Sequence, residues 1–192
     1  TTRRRLIAAS LLAPALPATV RAQSDVRPPA VVRIVVPFGT GGSNDVIARV
    51  VAPLLAKRLD TTVIVENRGG AGGNIGSAMV AKAAPDGYTL LITSSAPIVI
   101  NPSLYKSLPY DAVRDFTPLT LVATNPNVLA ANVRFGPTTV AELIALAKAR
   151  PGTLAFASAG NGTTQHLAGE LFKKMADVDM IHVPYKGNAP AV

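Results

Sequence analysis

The sequence predicts an α/β protein built as two lobes, each with a parallel β-sheet. Short β-branched, apolar runs alternate with segments of helical periodicity from residue 31 to 93, and the alternation restarts after about residue 123. Loops rich in glycine and hydroxyl residues end strands and begin helices at 37–43, 94–97 and 158–163. Ligands of open α/β sheets bind beyond the carboxyl ends of the strands, so these loops predict a binding cleft.

The first lobe begins with the strand Val31–Val36, which stops at Pro37 and leads through a glycine loop into a helix from Ser43. Pro53 lies inside the helical pattern and is expected to kink or shorten that helix. We predict further strands over 62–65 and 88–93, a glycine loop over 69–73, and a small-residue helix over 74–84.

The second lobe is predicted to begin near residue 123, after an irregular connection over 101–116. We expect strands over 119–123, 127–133, 154–158 and 180–183, and helices from Thr138 or Thr139 to Arg150 and over 163–175. The predicted domains are therefore residues 23–122 for the first lobe and 123–192 for the second.

Residues 1–22 are typical of a signal peptide. A basic start, Arg3–Arg5, precedes an apolar stretch and the cleavage pattern Val20-Arg21-Ala22. We predict export from a bacterial cytoplasm with cleavage after Ala22. The general secretory route and the twin-arginine route both fit, and a disordered basic leader is the alternative.

Composition excludes several classes of function. The 192 residues contain no cysteine, which excludes disulfides, zinc thiolate sites and cysteine catalysis. The net charge of +8 falls to +4 once the four arginines of residues 1–22 are set aside. The remaining basic residues are scattered, so we expect no nucleic-acid partner. They form either a solvated face or a surface suited to an acidic small molecule.

The familiar enzyme motifs are incomplete. The glycine loops at 39–44 and 70–75 lack the last glycine of the dinucleotide fingerprint, and none carries the Gly-Lys-Ser/Thr of a P-loop. Residues 156–160 lack the first glycine of a nucleophile elbow. His182 is expected in the core, and His166 either caps and packs or contacts a ligand. We therefore predict no catalytic residues, no metal site and no cofactor.

Several ordered motifs resemble one family. They are Val-Arg-Ile-Val-Val-Pro-Phe at 32–38, Val-Glu-Asn-Arg at 65–68, Gly-Ala-Gly-Gly-Asn-Ile-Gly at 70–76, Ala-Pro-Asp-Gly-Tyr-Thr-Leu at 84–90, His-Leu-Ala-Gly-Glu-Leu-Phe at 166–172 and His-Val-Pro-Tyr-Lys-Gly at 182–187. The sequence is similar to the substrate-binding receptors of tripartite tricarboxylate transporters, the Bug-type periplasmic solute-binding proteins. The resemblance implies the two-lobed periplasmic-binding-protein fold, here with its C-terminal part missing, and a monomer when complete.

The family resemblance also implies a function. A small carboxylate would bind between the lobes and be handed to a membrane permease, with no catalysis. An exported sensor that passes its ligand to a signalling protein is an alternative, and an α/β enzyme using the same loops is a further one. Family members continue beyond this point, so we expect residues 23–192 alone to be unstable or prone to aggregation.

Carried over residue by residue, the resemblance implies ligand contacts in both lobes. The first-lobe loop would act through backbone N–H groups and ordered water. Gly39 and Thr40 stand where family members often have two prolines. This departure should make the loop more flexible and adds a hydroxyl group, so the resemblance leaves the ligand choice open. The implied ligand-binding residues are Pro37, Phe38, Gly39, Thr40, Gly41, Gly42, Ser43, Asp45, Ser94, Ser95, Ser158, Gly160, Asn161, Thr163, Thr164, His166, Tyr185 and Lys186.

Overall fold

The computed structural model describes residues 31–192. The predicted signal peptide, 1–22, and its cleavage site lie outside the described residues. Within residues 31–192, no helix combines the length and the apolar character that crossing a bilayer requires.

A three-stranded parallel sheet forms the first lobe, as predicted. Its strands are β1 (Val31–Val36), β2 (Thr62–Asn67) and β3 (Thr89–Leu91), in the order β2-β1-β3. The central strand β1 is buried on both faces, since Ile34, Val35 and Val36 are all at most 1% exposed. A continuous β-branched run is what such a strand requires.

Two long connections cover this sheet, α1 (Ser43–Leu59) and α2 (Asn74–Ala81). The expectation that Pro53 shortens the helix was wrong, because α1 continues through it to Leu59. The expected kink stays a prediction. Pro53 lies on the exposed side of the helix, where solvent can satisfy the carbonyl that loses its partner. The helix α2 ends at Ala81, three residues before the predicted end.

The connection after β3 is more ordered than predicted. A single π-helical turn, Ala96–Ile100, runs directly into the short helix α3 (Asn101–Leu104), and only the residues beyond it are irregular. Prolines at the start of each segment favour this arrangement, because their ring presets the helical φ angle.

A second, two-stranded parallel sheet forms the other lobe. In chain order its elements are α4 (Val140–Ala149), β4 (Ala155–Ser158), α5 (Thr164–Ala176) and β5 (Ile181–Pro184). Thr139 caps α4 in a reciprocal capping box with Glu142, which confirms the predicted start. Leu143, Leu154 and Met180 form the small core beneath this sheet.

The predicted strands over 119–123 and 127–133 were wrong. Both segments are exposed and lack strand structure, and neither pairs with a strand among residues 31–192. Their β-branched composition suits a strand, but a strand also needs a neighbour to complete its hydrogen bonds. The predicted domain boundary at 122/123 falls in this extended segment and stays a prediction.

The buried position of Ile34 generates a first prediction. Ile34→Ala should lower the free energy of unfolding by about 2–5 kcal/mol, because it empties space in the centre of the first core. Ile64→Ala on the neighbouring strand is the matched control, since Ile64 is 41% exposed. Urea denaturation of both variants measures the difference. Equal losses would show that β1 is not the centre of the core.

Candidate functional site

The first-lobe loop is anchored by a buried carboxylate. Asp45 is 2% exposed, and its Oδ2 accepts hydrogen bonds from the Gly41 N–H at 2.8 Å and from Arg49 Nε at 3.1 Å. Arg49 also donates to Asn67 Oδ1 at 3.1 Å, and Asn67 Nδ2 donates to the Phe38 carbonyl at 3.1 Å. Asp45 therefore holds the loop in place from within.

Some of the remaining residues of this loop are buried and others are exposed. Pro37 and Phe38 are buried, and Phe38 belongs to the first core. The Gly42 carbonyl accepts from the Val46 N–H and so begins α1. Thr40 is exposed and Ser43 half-buried. No side-chain hydrogen bond caps the start of α1, where the positive end of the helix dipole lies. Gly42 itself is buried, and a Cβ atom added to it would lie 3.8 Å from Asn188 N.

Ser94 and Ser95 follow β3 at the same edge of the sheet. Ser94 is half-buried and its Oγ accepts from the Ala96 N–H at 3.5 Å, whereas Ser95 is exposed. The turn that follows them packs on the glycine loop 69–73 through Pro97, beside the ring of Phe38. The structure therefore brings these serines beside the first-lobe loop.

The second-lobe loop is also stabilised from within. Ser158 is buried, and its Oγ lies 2.6 Å from His182 Nε2 and accepts from the Gly160 N–H at 3.1 Å. Thr163 is 2% exposed; its Oγ1 donates to the Gly160 carbonyl at 2.7 Å and accepts from the His166 N–H at 3.4 Å. These two hydroxyl groups thus shape the loop, and α5 begins directly after it.

Two histidines stack beneath the second-lobe loop. The rings of His166 and His182 lie 4.1 Å apart, and Phe156 stacks on the other side of His182 at 4.9 Å. The Gly162 N–H donates to His166 Nδ1 at 3.2 Å, so a neutral His166 carries its proton on Nε2. The expectation that His182 is simply a core residue was wrong, because it is only half-buried and holds Ser158.

Burial and the neighbouring His166 lower the pKa of His182 below its ordinary value of 6.5. Glu170 acts in the opposite direction and Lys173 in the same one. A neutral His182 can accept a hydrogen bond from the Ser158 hydroxyl, which its protonated form cannot do at Nε2.

The loops of the two lobes meet. The Gly39 N–H donates to the Lys186 carbonyl at 2.9 Å, and Tyr105 Oη donates to the Asn161 carbonyl at 3.3 Å. Thr164 Oγ1 reaches Asn127 Oδ1 at 3.3 Å in the extended segment. The exposed polar side chains around this meeting point are those of Thr40, Ser95, Asn161, Tyr185 and Lys186.

Sequence patterns missed a polar network behind the site. Asn101 Nδ2 donates to Asn74 Oδ1 at 2.6 Å, and Tyr110 Oη donates to the same oxygen at 2.8 Å. Arg49 and Asn67, the partners of the first loop, were missed as well. None of these residues belongs to a sequence motif that would mark it. The one available indication was the position of Asn67, which ends β2 just before a glycine loop.

The described part of the chain holds no group of three or more His, Cys, Asp or Glu side chains that could bind a metal. One surface groove, of about 450 Å³, lies between residues 129–135 and the start of α4, and neither of the two loops lines it. What the loop cluster offers is neutral hydrogen-bond donors and the positive ends of helices, which suit a small anion.

Comparison with known proteins identifies the family. The family described as "Tripartite tricarboxylate transporter family receptor", TctC, matches residues 47–192. The chain belongs to this receptor family. It is 43% identical over 192 residues to the UPF0065 protein in the tcbD-tcbE intergenic region of Pseudomonas sp. strain P51, covering 99% of the chain and 56% of that relative. It is 44% identical to BugT of Bordetella pertussis, covering 88% of the chain and 52% of BugT.

Solved structures confirm the α/β fold of the receptor family. A periplasmic transporter matches with a TM-score of 0.82 at 42% identity, and R. palustris Rpa4515 with adipate matches with 0.81 at 40%. MatC from Rhodopseudomonas palustris with bound malate matches with 0.79 at 34% identity. The first two matches each cover 85% of this chain and 55% of the other. The receptor chain thus spans about half the length of its relatives.

The environment of Asp45 predicts a pH dependence of stability. Burial alone raises the pKa of this carboxyl, but the hydrogen bonds from Arg49 and Gly41 outweigh it, and the pKa lies below the ordinary 3.8. A lowered folded-state pKa stabilises the fold above the unfolded-state pKa of about 3.9, and that stabilisation is lost as the pH falls through the folded-state value. Asp45→Asn should therefore destabilise at pH 7 and progressively less towards pH 3.

Urea denaturation from pH 7 to pH 3 tests the role of Asp45. The exposed Asp60→Asn variant is the control, because asparagine tolerates the left-handed conformation at that helix end. A difference between Asp45→Asn and the parent protein that grows in acid would contradict the assignment.

The stacked histidines lead to a prediction about the pKa of His182. The imidazole of His182 should titrate below 6.5 in heteronuclear NMR spectra, and His166→Gln should move its pKa upward because the neighbouring ring contributes to the lowering. A titration of His182 at or above 6.5 in the parent protein would show that the ring is more open to solvent than the stack implies.

Proposed function

We propose that this receptor captures a small dicarboxylate between its lobes and delivers it to a membrane permease of the tripartite tricarboxylate type. The observation that carries the proposal is that the first-lobe loop meets the loop after β5 at the Gly39–Lys186 hydrogen bond. The loop after β5 is joined in turn to the second-lobe loop before α5, because the Tyr185 N–H donates to the Ser158 carbonyl at 2.9 Å. Two relatives of known structure, Rpa4515 with adipate and MatC with bound malate, support the choice of a dicarboxylate.

The two loops suit a ligand with two carboxylates. The start of α1 has no side-chain cap, and its free N–H groups carry the positive end of a 17-residue helix. The second loop presents Asn161 and Thr164 at the start of α5. One carboxylate can then face each lobe, so that binding favours the approach of the lobes.

The free energies of these ligand contacts are large enough for micromolar binding. Each hydrogen bond to a charged carboxylate contributes about 1.5–3 kcal/mol, and each helix terminus about 0.3–1 kcal/mol. A few such contacts, less the cost of ordering the ligand and the lobes, give about −8 kcal/mol, which corresponds to micromolar binding.

Transport requires release as well as capture. Closure of the lobes presents to the permease a surface that differs from the open one. Binding needs no covalent step, so the proposed receptor does no catalysis. Residues 1–22 act in this proposal as a signal peptide cleaved after Ala22, so that the receptor reaches the periplasm. The proposed receptor acts there as a monomer. The predicted ligand-binding residues of both loops remain part of the proposal.

Isothermal titration of the complete gene product with malate and adipate tests this function. We expect saturable, micromolar binding of at least one of them, and none of the dimethyl ester of the same acid, because the ester lacks the negative charges. Absence of heat for both acids from a folded protein would overturn the dicarboxylate proposal.

Variants of the second loop locate the site. Asn161→Ala and Thr164→Ala should each weaken binding about tenfold to a hundredfold, the loss of one hydrogen bond to a charged group. Thr163→Ala should also weaken binding by releasing the loop that its hydroxyl shapes, whereas Thr163→Ser should not. Lys174→Ala on the exposed side of α5 is the control. Unchanged affinity in both Asn161→Ala and Thr163→Ala would place the site elsewhere.

A further inference from the structure

Backbone from the first lobe touches backbone from the second at a pair of glycine loops. Gly72 has φ +63°, and a Cβ atom added there would collide with the Asn161 carbonyl oxygen. A Cβ on Gly160 would lie 3.5 Å from the Gly72 backbone. The loop 69–73, which the ligand-binding prediction did not include, is therefore the first-lobe surface on which the second-lobe loop rests.

One buried side chain supports this contact. Asn101 is 0% exposed, and its Nδ2 donates to the Gly72 carbonyl at 3.2 Å and to Asn74 Oδ1. Tyr110 Oη donates to the same Asn74 oxygen, which helps to fix the Asn74 side chain on which Asn101 rests. Asn101 Oδ1, without a hydrogen-bond partner among residues 31–192, lies against Gly162.

Gly162 leaves no free space on its side of the contact. Its φ is +82°, and a Cβ atom there would collide with Asn101 Oδ1 and lie 3.0 Å from Leu104 Cδ2. Since Gly162 also donates its N–H to His166 Nδ1, it connects the second-lobe loop to the histidine stack. A displacement of Gly162 would thus move the loop that carries Asn161.

We propose that Asn101 is a positioning residue whose amide stops the approach of the two lobes at Gly162 and so sets the width of the closed cleft. The effect on ligand affinity rests on the proposed function, whereas the effect on lobe separation does not. Apparent affinity depends on the fraction of molecules that can close. A side chain that held the lobes further apart would lower that fraction without touching the ligand.

The fold offers a matched pair of glycines for the test. Gly87 has φ +81°, almost the value at Gly162, but a Cβ atom there would meet nothing within 4 Å. Gly162→Ala and Gly87→Ala therefore place an alanine at nearly the same unfavourable positive φ, and only the first obstructs the lobe contact. Asn101→Gln lengthens the side chain on the first-lobe side, so it crowds the same contact while Gly162 is unchanged.

Lobe separation can be measured directly in the complete gene product. Spin labels at Lys57→Cys on α1 and Lys174→Cys on α5 occupy exposed positions, one on each lobe, and the 192 residues contain no other cysteine. Electron–electron double resonance then gives the distance between the labels, with and without malate or adipate, and titration calorimetry gives the affinity for the same acids.

We expect Gly162→Ala and Asn101→Gln to lengthen the label distance both with and without the acid, and to weaken binding at least tenfold, while Gly87→Ala changes neither. Asn101→Ser added to Gly162→Ala should restore both, because it removes the obstructing amide. The inference is overturned if Gly162→Ala behaves like Gly87→Ala, or if Asn101→Ser gives no recovery. If no variant binds malate or adipate but the distances without acid change and recover as stated, the positioning role stands and the dicarboxylate proposal fails.

Discussion

The burial of β1 is the constraint on which the site depends. A parallel strand flanked on both sides must bury a continuous apolar run, and Ile34, Val35 and Val36 supply it. Parallel pairing then brings the ends of β2 and β3 to the same edge of the sheet as the end of β1. The glycine loop, the serines after β3 and the start of α1 are neighbours for this reason alone.

The loops of both lobes are held by hydrogen bonds of their own. Asp45 takes the Gly41 N–H, Ser158 takes the Gly160 N–H, and Thr163 closes the turn before α5. These contacts fix the loops before any ligand arrives, which lowers the ordering cost of binding. What remains for a ligand is the uncapped helix start and a few exposed polar side chains.

Local signals were enough to predict most elements, and contacts between distant residues were not. The β-branched run of β1 and the Thr139 capping box each involve residues that are close together in the sequence, so both could be predicted from it. Strand composition over 119–133 was misleading because a strand also depends on a partner elsewhere in the chain. The first loop could be predicted from its glycines, but its support by Asn67 joins residues 29 apart, and Asn101 acts across the same separation. The periodicity of apolar residues in a sequence does not indicate contacts between residues that are so far apart.

The Gly39–Lys186 hydrogen bond joins main-chain atoms only. Its existence depends on a free N–H at residue 39 and on room for the approach, and not on which side chain residue 186 carries. A relative with proline at position 39, as family members often have, lacks that N–H and cannot form the bond. Where residue 39 keeps its N–H, the side chains around the cleft, and with them the preferred ligand, can change without breaking the contact between the lobes. A change in ligand choice therefore does not require the loss of this main-chain hydrogen bond.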